Sequence, residues 1–195
     1  MQASNTIAGV FRPNDKAFGI LYDVLMVVFG SLIVALSARI MFYLPFSPVP
    51  VTAQTFTVLV LGILLGSKRG AITMTAYLAE GYLGLPVFAG GVGPAVLIGP
   101  TGGYLVGFVA AAFLTGRLAE SGWDRRFITT VAAMLIGDVI LLTFGFVWLA
   151  ILTNVKTAFI AGLIVFIPGD ILKVALAGAL LPTGWKMLER LNMKT

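Results

Sequence analysis

The chain has 195 residues, 59% of them hydrophobic and 11% charged, with a net charge of +5. Soluble domains carry roughly a quarter charged residues, and the apolar runs here rival the about 20 residues that cross a bilayer, so an ordinary soluble domain is excluded. With no cysteine and no histidine, disulfides, thiol chemistry and the commonest general base and metal ligand are also excluded; neither an enzyme, a cofactor nor a metal site is expected.

The order along the chain is that of an all-α polytopic membrane protein. Residues 1–18 form a polar N-terminal arm, interfacial or loose, without the apolar h-region of a signal peptide. Residues 19–195 form one membrane domain with six predicted transmembrane helices: 23–43, 53–66, 71–84, 102–118, 127–149 and 158–181. The second and third are short for a span. Arg12 and Lys16 precede the first helix, Lys68 and Arg69 join the second to the third, and Arg117, Arg125 and Arg126 join the fourth to the fifth. Lys186, Arg190 and Lys194 follow the sixth. With six crossings all of these fall on one side, and Lys156 alone falls on the other. The positive-inside rule makes the basic side cytoplasmic, with both termini inside. Basic residues distributed in this way argue for the lipid bilayer as partner and against nucleic acid.

The inner connections are short and basic, the outer ones apolar. Loop 44–52 carries Pro45, Pro48 and Pro50, which fix φ and favour stiff extended backbone. Loop 84–103 is rich in glycine, including Gly90, Gly91 and Gly93. Irregular backbone at membrane depth survives only when buried in protein or lining a cavity, and glycine lets backbone N–H groups approach a ligand. Two readings stand: a lid over an outward pocket, or ordinary connecting loops.

Small residues recur four apart at Gly62/Gly66, Gly103/Gly107 and Ser31/Ala35, a spacing that lets helices approach closely. The glycine pairs read as internal packing; the Ser31/Ala35 face is a candidate interface with another membrane protein. Charges at membrane depth cost of order 2.5–3.5 kcal/mol each even on lenient scales. Arg39 lies near the outer end of the first helix and can snorkel. Glu80 can accept from a ligand or pair with Arg39. Asp138 sits mid-helix, where it pairs in space, stays protonated or caps a neighbour.

Asp170 and Lys173, at i and i+3, share one face of the last helix. Pro168 and Gly169 mark a helix start or kink, which puts Asp170 in a first turn, where the dipole favours its charge and freed amides add donors. A self-satisfied ion pair is the plain alternative. As a ligand site, the pair suits a neutral cyclic group bearing both N–H and C=O.

Several motifs together carry a resemblance: P-F-S-P-V-P-V-T-A-Q-T-F at 45–56, G-L-P-V-F-A-G-G at 84–91, G-P-T-G-G-Y-L-V-G-F at 99–108, W-L at 148–149 and F-I-P-G-D-I-L-K at 166–173. The chain resembles the biotin-binding S components of energy-coupling-factor transporters. The resemblance implies a six-helix S-component fold in a prokaryotic cytoplasmic membrane and capture of biotin from outside. Partnership with a membrane T component and two ABC-type ATPase subunits is implied as well. No P-loop is present in the chain itself. The ureido ring would meet Asp170 and Lys173, and Glu80 would accept a hydrogen bond from the ligand. The thioether ring and valerate chain would pack on Trp148 and Tyr82, and the carboxylate would meet amides of Gly90, Gly91 and Gly93. An S component for another vitamin and an ion-coupled secondary transporter remain the alternatives.

Overall fold

The structure is a computed structural model and describes residues 6–192; Lys194 and residues 1–5 of the arm lie outside them. The arm is docked. Thr6 caps a one-turn helix α1 (Ile7–Val10) by accepting from the Gly9 amide, and the Ala8 carbonyl accepts from the Tyr22 hydroxyl at 2.8 Å. Helix α2 (Lys16–Ser37) begins seven residues before the expected boundary, because the Asp15 carboxylate caps it, accepting from the amides of Ala17 and Phe18.

Among the described residues, two short strands interrupt an otherwise helical order. β1 (Met41–Phe42) pairs antiparallel with β2 (Val51–Thr52), Met41 opposite Thr52, and pins the base of the proline-rich loop. Helix α3 (Gln54–Leu65) follows and turns through Gly66, at φ 87°, into α4 (Ser67–Tyr82). A short α5 (Pro94–Ile98) lies within the glycine-rich loop, and α6 (Gly102–Glu120) follows. A single 3₁₀ turn (Trp123–Arg125) leads to α7 (Phe127–Leu152). After α8 (Val155–Phe159) the chain forms a π-helical stretch (Ile160–Ile164) and then α9 (Ile167–Asn192).

Helix α6 is the hub, packed against α3, α4 and α7; α2 covers α4, and α9 covers α7. Close approach at the hub needs residues without side chains. A Cβ on Gly62 would lie 2.7 Å from the Ala112 carbonyl oxygen, and one on Gly107 3.1 Å from the Leu141 carbonyl oxygen. Tyr77, Met74, Ile63, Met134, Leu141 and Leu149 fill the interior. Outward faces are apolar instead of charged: Phe18, Leu21, Leu25, Leu32 and Leu36 stand exposed along α2, as suits a lipid-facing helix.

Among the described residues, four helical stretches are long and apolar enough to cross a membrane: α2, α6, α7 and Val155–Arg190. Helix α3, with 12 residues, reaches only about 18 Å, and α4 carries Lys68, Arg69 and Glu80. Length and composition alone therefore distinguish these two from the other segments. One end of the bundle gathers the start of α4, the end of α6 and the basic residues Arg12, Lys68, Arg69 and Arg117. The other end carries loops 43–52 and 84–101.

Candidate functional site

At the loop end a narrow cavity of about 30 Å³ lies under Val49, Pro50 and Ala89, with Gln54, Thr55, Tyr104 and Phe166 lower on its wall. Above it a vestibule of about 380 Å³ is lined by Tyr43, Pro48, Gly90, Gly91 and Gly99. The two share Pro50, Ala89, Val96 and Thr101. The proline-rich and glycine-rich loops thus both line the vestibule, and the inner cavity has room for one or two waters.

Polar side chains hold this arrangement. The Gln54 amide donates to the Tyr77 hydroxyl at 2.7 Å, which donates to the Val87 carbonyl at 3.1 Å. Ser47 donates to the Ala161 carbonyl at 2.6 Å, tying the first loop to the π-helical stretch. Tyr104 donates to the Gly162 carbonyl, and its ring packs on Phe166 with centroids 5.6 Å apart. The Arg39 guanidinium donates to the Pro86 carbonyl, so the end of the first long helix holds the second loop.

One turn below Phe166, Asp170 is 4% exposed. Its Oδ1 accepts from Lys173 Nζ at 2.8 Å, and the same ammonium donates to Thr55 Oγ1 at 2.6 Å. Asp170 Oδ2 is buried with no hydrogen-bond partner. Thr55 forms the cavity wall and the ion pair lies behind it. Asp138 on α7, also buried, is a second carboxyl near Asp170. The helix starts around the Pro168–Gly169 dipeptide, as the sequence suggests. α9 begins at Ile167, and the Asp170 amide donates to the Phe166 carbonyl at 2.9 Å. Asp170 therefore stands in the first turn, as expected from Pro168 and Gly169, and the π-helical stretch Ile160–Ile164 lies just upstream.

The other expected residues are dispersed. Gly90 and Gly91 face the vestibule. Gly90 adopts φ 74°, and a Cβ there would strike the Tyr43 hydroxyl. Gly93, at φ 78°, starts α5 behind them. Trp148 packs behind the glycine-rich loop, donating from Nε1 to the Gly99 carbonyl at 2.9 Å, and lines a separate groove with Leu97 and Phe144. Tyr82 is 60% exposed at the end of α4 and lines neither cavity.

Glu80 Oε1 accepts from Ser31 at 2.7 Å, so Glu80 turns toward α2, while Arg39 goes to Pro86. The Ser31/Ala35 face needs correction as a partner surface. Ser31 is fully buried and Ala35 packs on the core, because α4 occupies that face. Gln54, Thr55 and Tyr104 were not singled out from the sequence. The motifs 45–56 and 99–108 contain them, but nothing in their spacing marks which side chains turn inward.

The BioY family model matches residues 9–190. The chain is similar to the biotin transporter BioY of Rhizobium etli, 40% identical over 166 residues, which cover 80% of this chain and 89% of that protein. It is 38% identical to the biotin transporter BioY of Thermotoga maritima over 148 residues, 75% and 86% of the two chains. Among solved structures, the crystal structure of the S-component for biotin from an ECF-type ABC transporter superposes with a TM-score of 0.76 at 29% identity. That match covers 85% of this chain and 92% of the other.

Proposed function

The chain belongs to the BioY family, and from that premise we propose that it is the substrate-binding membrane subunit of an energy-coupling-factor transporter, capturing biotin beneath its two loops. It is a multi-pass membrane protein and not an enzyme. T component and ATPase subunits supply the energy, since no P-loop is present in this chain. The proposed topology has six crossings with both termini cytoplasmic. The gathering of Arg12, Lys68, Arg69 and Arg117 at one end supports it.

The observation that carries the site is the unpartnered Asp170 Oδ2 below the cavity. A buried carboxylate oxygen without a donor costs about 1–3 kcal/mol, which a ligand N–H recovers. Lys173 already bonds Asp170 and Thr55. The division of roles is therefore that Asp170 accepts from a ureido N–H, while Lys173 fixes the carboxylate and polarises Thr55. Gln54 and Thr55 offer further polar contacts on the wall, and Tyr104 and Phe166 an apolar surface for the thioether ring. Backbone amides around Gly90 and Gly91 lie where the valerate carboxylate would emerge. Sites for small ligands are usually 300–1,000 Å³. The inner cavity is about 30 Å³, so binding requires the two loops to part and reclose.

The test is a titration of the purified chain in detergent with biotin, and with thiamine and riboflavin as competitors. Tight binding of biotin that neither competitor displaces is expected. Displacement by thiamine or riboflavin would assign the scaffold to another vitamin.

A further inference from the structure

At the basic end, far from the loops, a cleft of about 540 Å³ opens between α2, α4 and the end of α6. It has two unlike walls. Ile20, Val24, Val28 and Ile72 form an apolar wall, each about half exposed, and this wall continues into the outward face of α2. The polar wall holds Arg12, Lys68, Arg69 and Arg117 against Asp23 and Glu120, four cations to two carboxylates. Asp23 is shared by two guanidiniums, Arg12 at 2.9 Å and Arg69 at 3.2 Å. Glu120 already accepts from the Ser67 amide, the Ser67 hydroxyl and Arg117. The carboxylates do not balance the cations.

A cleft with a net positive rim and an apolar wall that runs on into a lipid-facing helix complements an amphiphile with an anionic head. A soluble anion would use only the rim. A partner helix would leave the surplus charge unmatched unless it were acidic. In the topology proposed above, the basic end also lies on the cytoplasmic side, where anionic lipids attract Lys and Arg. We propose that this cleft binds one anionic phospholipid. Its phosphate sits among Lys68, Arg69 and Arg117, and an acyl chain lies along Val24, Val28 and Ile72. The proposal does not depend on the vitamin assignment.

The experiment compares phosphatidylglycerol with phosphatidylcholine of identical acyl chains, delivered to the full chain in detergent. Retained lipid is read by native mass spectrometry and the melting temperature is followed in parallel. Phosphatidylglycerol is expected to be retained at one per chain and to raise the melting temperature, and phosphatidylcholine to do neither. The double variant Lys68→Gln/Arg117→Gln changes two exposed side chains. It should lose at least fivefold of the retained phosphatidylglycerol while binding biotin like the parent. Equal retention of the two lipids, or undiminished retention by the double variant, overturns the proposal. So does equal stabilisation by inorganic phosphate alone, which would mark a free-anion site. A double variant that keeps the lipid but fails to assemble with the other transporter subunits would assign the cleft to a protein.

Discussion

Lys173 and Thr55 lie 118 residues apart in sequence and are joined by a hydrogen bond of 2.6 Å. This bond ties the last helix to the third helix at the floor of the cavity and fixes the ammonium over Asp170. Losing Thr55's acceptor while keeping its shape isolates this contact. Thr55→Val is expected to weaken biotin binding roughly tenfold, measured by isothermal titration calorimetry in detergent, with an unchanged elution profile. An unchanged affinity would remove Thr55 and the orientation of Lys173 from the site.

Asp170 and Asp138 are neighbouring buried carboxyls, but only Asp170 holds Lys173. Asp170→Asn breaks a buried pair, a change that costs about 3–5 kcal/mol, and biotin affinity is expected to fall at least about 100-fold. Asp138→Asn keeps the shape and leaves the Asp170–Lys173 pair intact, so affinity should stay within about threefold. If the two substitutions have equal effects, the ligand role assigned to Asp170 alone is wrong.

Arg39 holds the second loop through the Pro86 carbonyl. Arg39→Ala should loosen this loop and accelerate biotin release about tenfold, the equivalent of one charge-assisted hydrogen bond. Trp148, bonded to Gly99 on the same loop, is the natural reporter for stopped-flow fluorescence. A release rate equal to the parent's would show that this contact does not gate the site.

Gly62 meets α6 at the bundle's hub. A Cβ placed there lies 2.7 Å from the Ala112 carbonyl oxygen and 2.8 Å from the Ala112 Cα, both backbone. Gly62→Ala should therefore force α3 from α6 and cost about 1–3 kcal/mol, lowering the melting temperature. The substitution lies away from the ligand's polar contacts, so biotin added in excess should recover part of that loss by binding the folded state.

Asp124 gives a pH dependence outside the spanning segments. Its carboxylate is fully buried and accepts from Trp185 Nε1 at 2.6 Å, with the Arg125 guanidinium 4.6 Å above the Trp185 ring. Burial raises its pKa above the ordinary carboxylate value, outweighing the Trp185 hydrogen bond. A raised folded-state value means the folded protein holds its proton longer than the unfolded one. This contribution to stability is full below the ordinary carboxylate range and is lost as pH rises through the raised value. Asp124→Asn should flatten that part of the melting-temperature profile while leaving the Trp185 contact in place. A profile that is the same in both proteins would locate the titration elsewhere.

The membrane class, the apolar segments and the Asp170–Lys173 pair were legible in the sequence, because each depends on local composition or on the i, i+3 geometry of one helix. The two outer loops were legible as segments; their placement around one cavity depends on contacts such as Arg39 to Pro86 and Ser47 to Ala161, across 47 and 114 residues. The Ser31/Ala35 face shows the limit most directly. Its spacing announces close helix packing, and the structure supplies α4 from the same chain as the neighbour. Sequence periodicity tells which side chains share a face but not which face meets which helix. Only the tertiary packing left Asp170 Oδ2 without a donor and made Gln54, Thr55 and Tyr104 the cavity wall. Only that packing also drew Arg12, Lys68, Arg69 and Arg117 around one cleft.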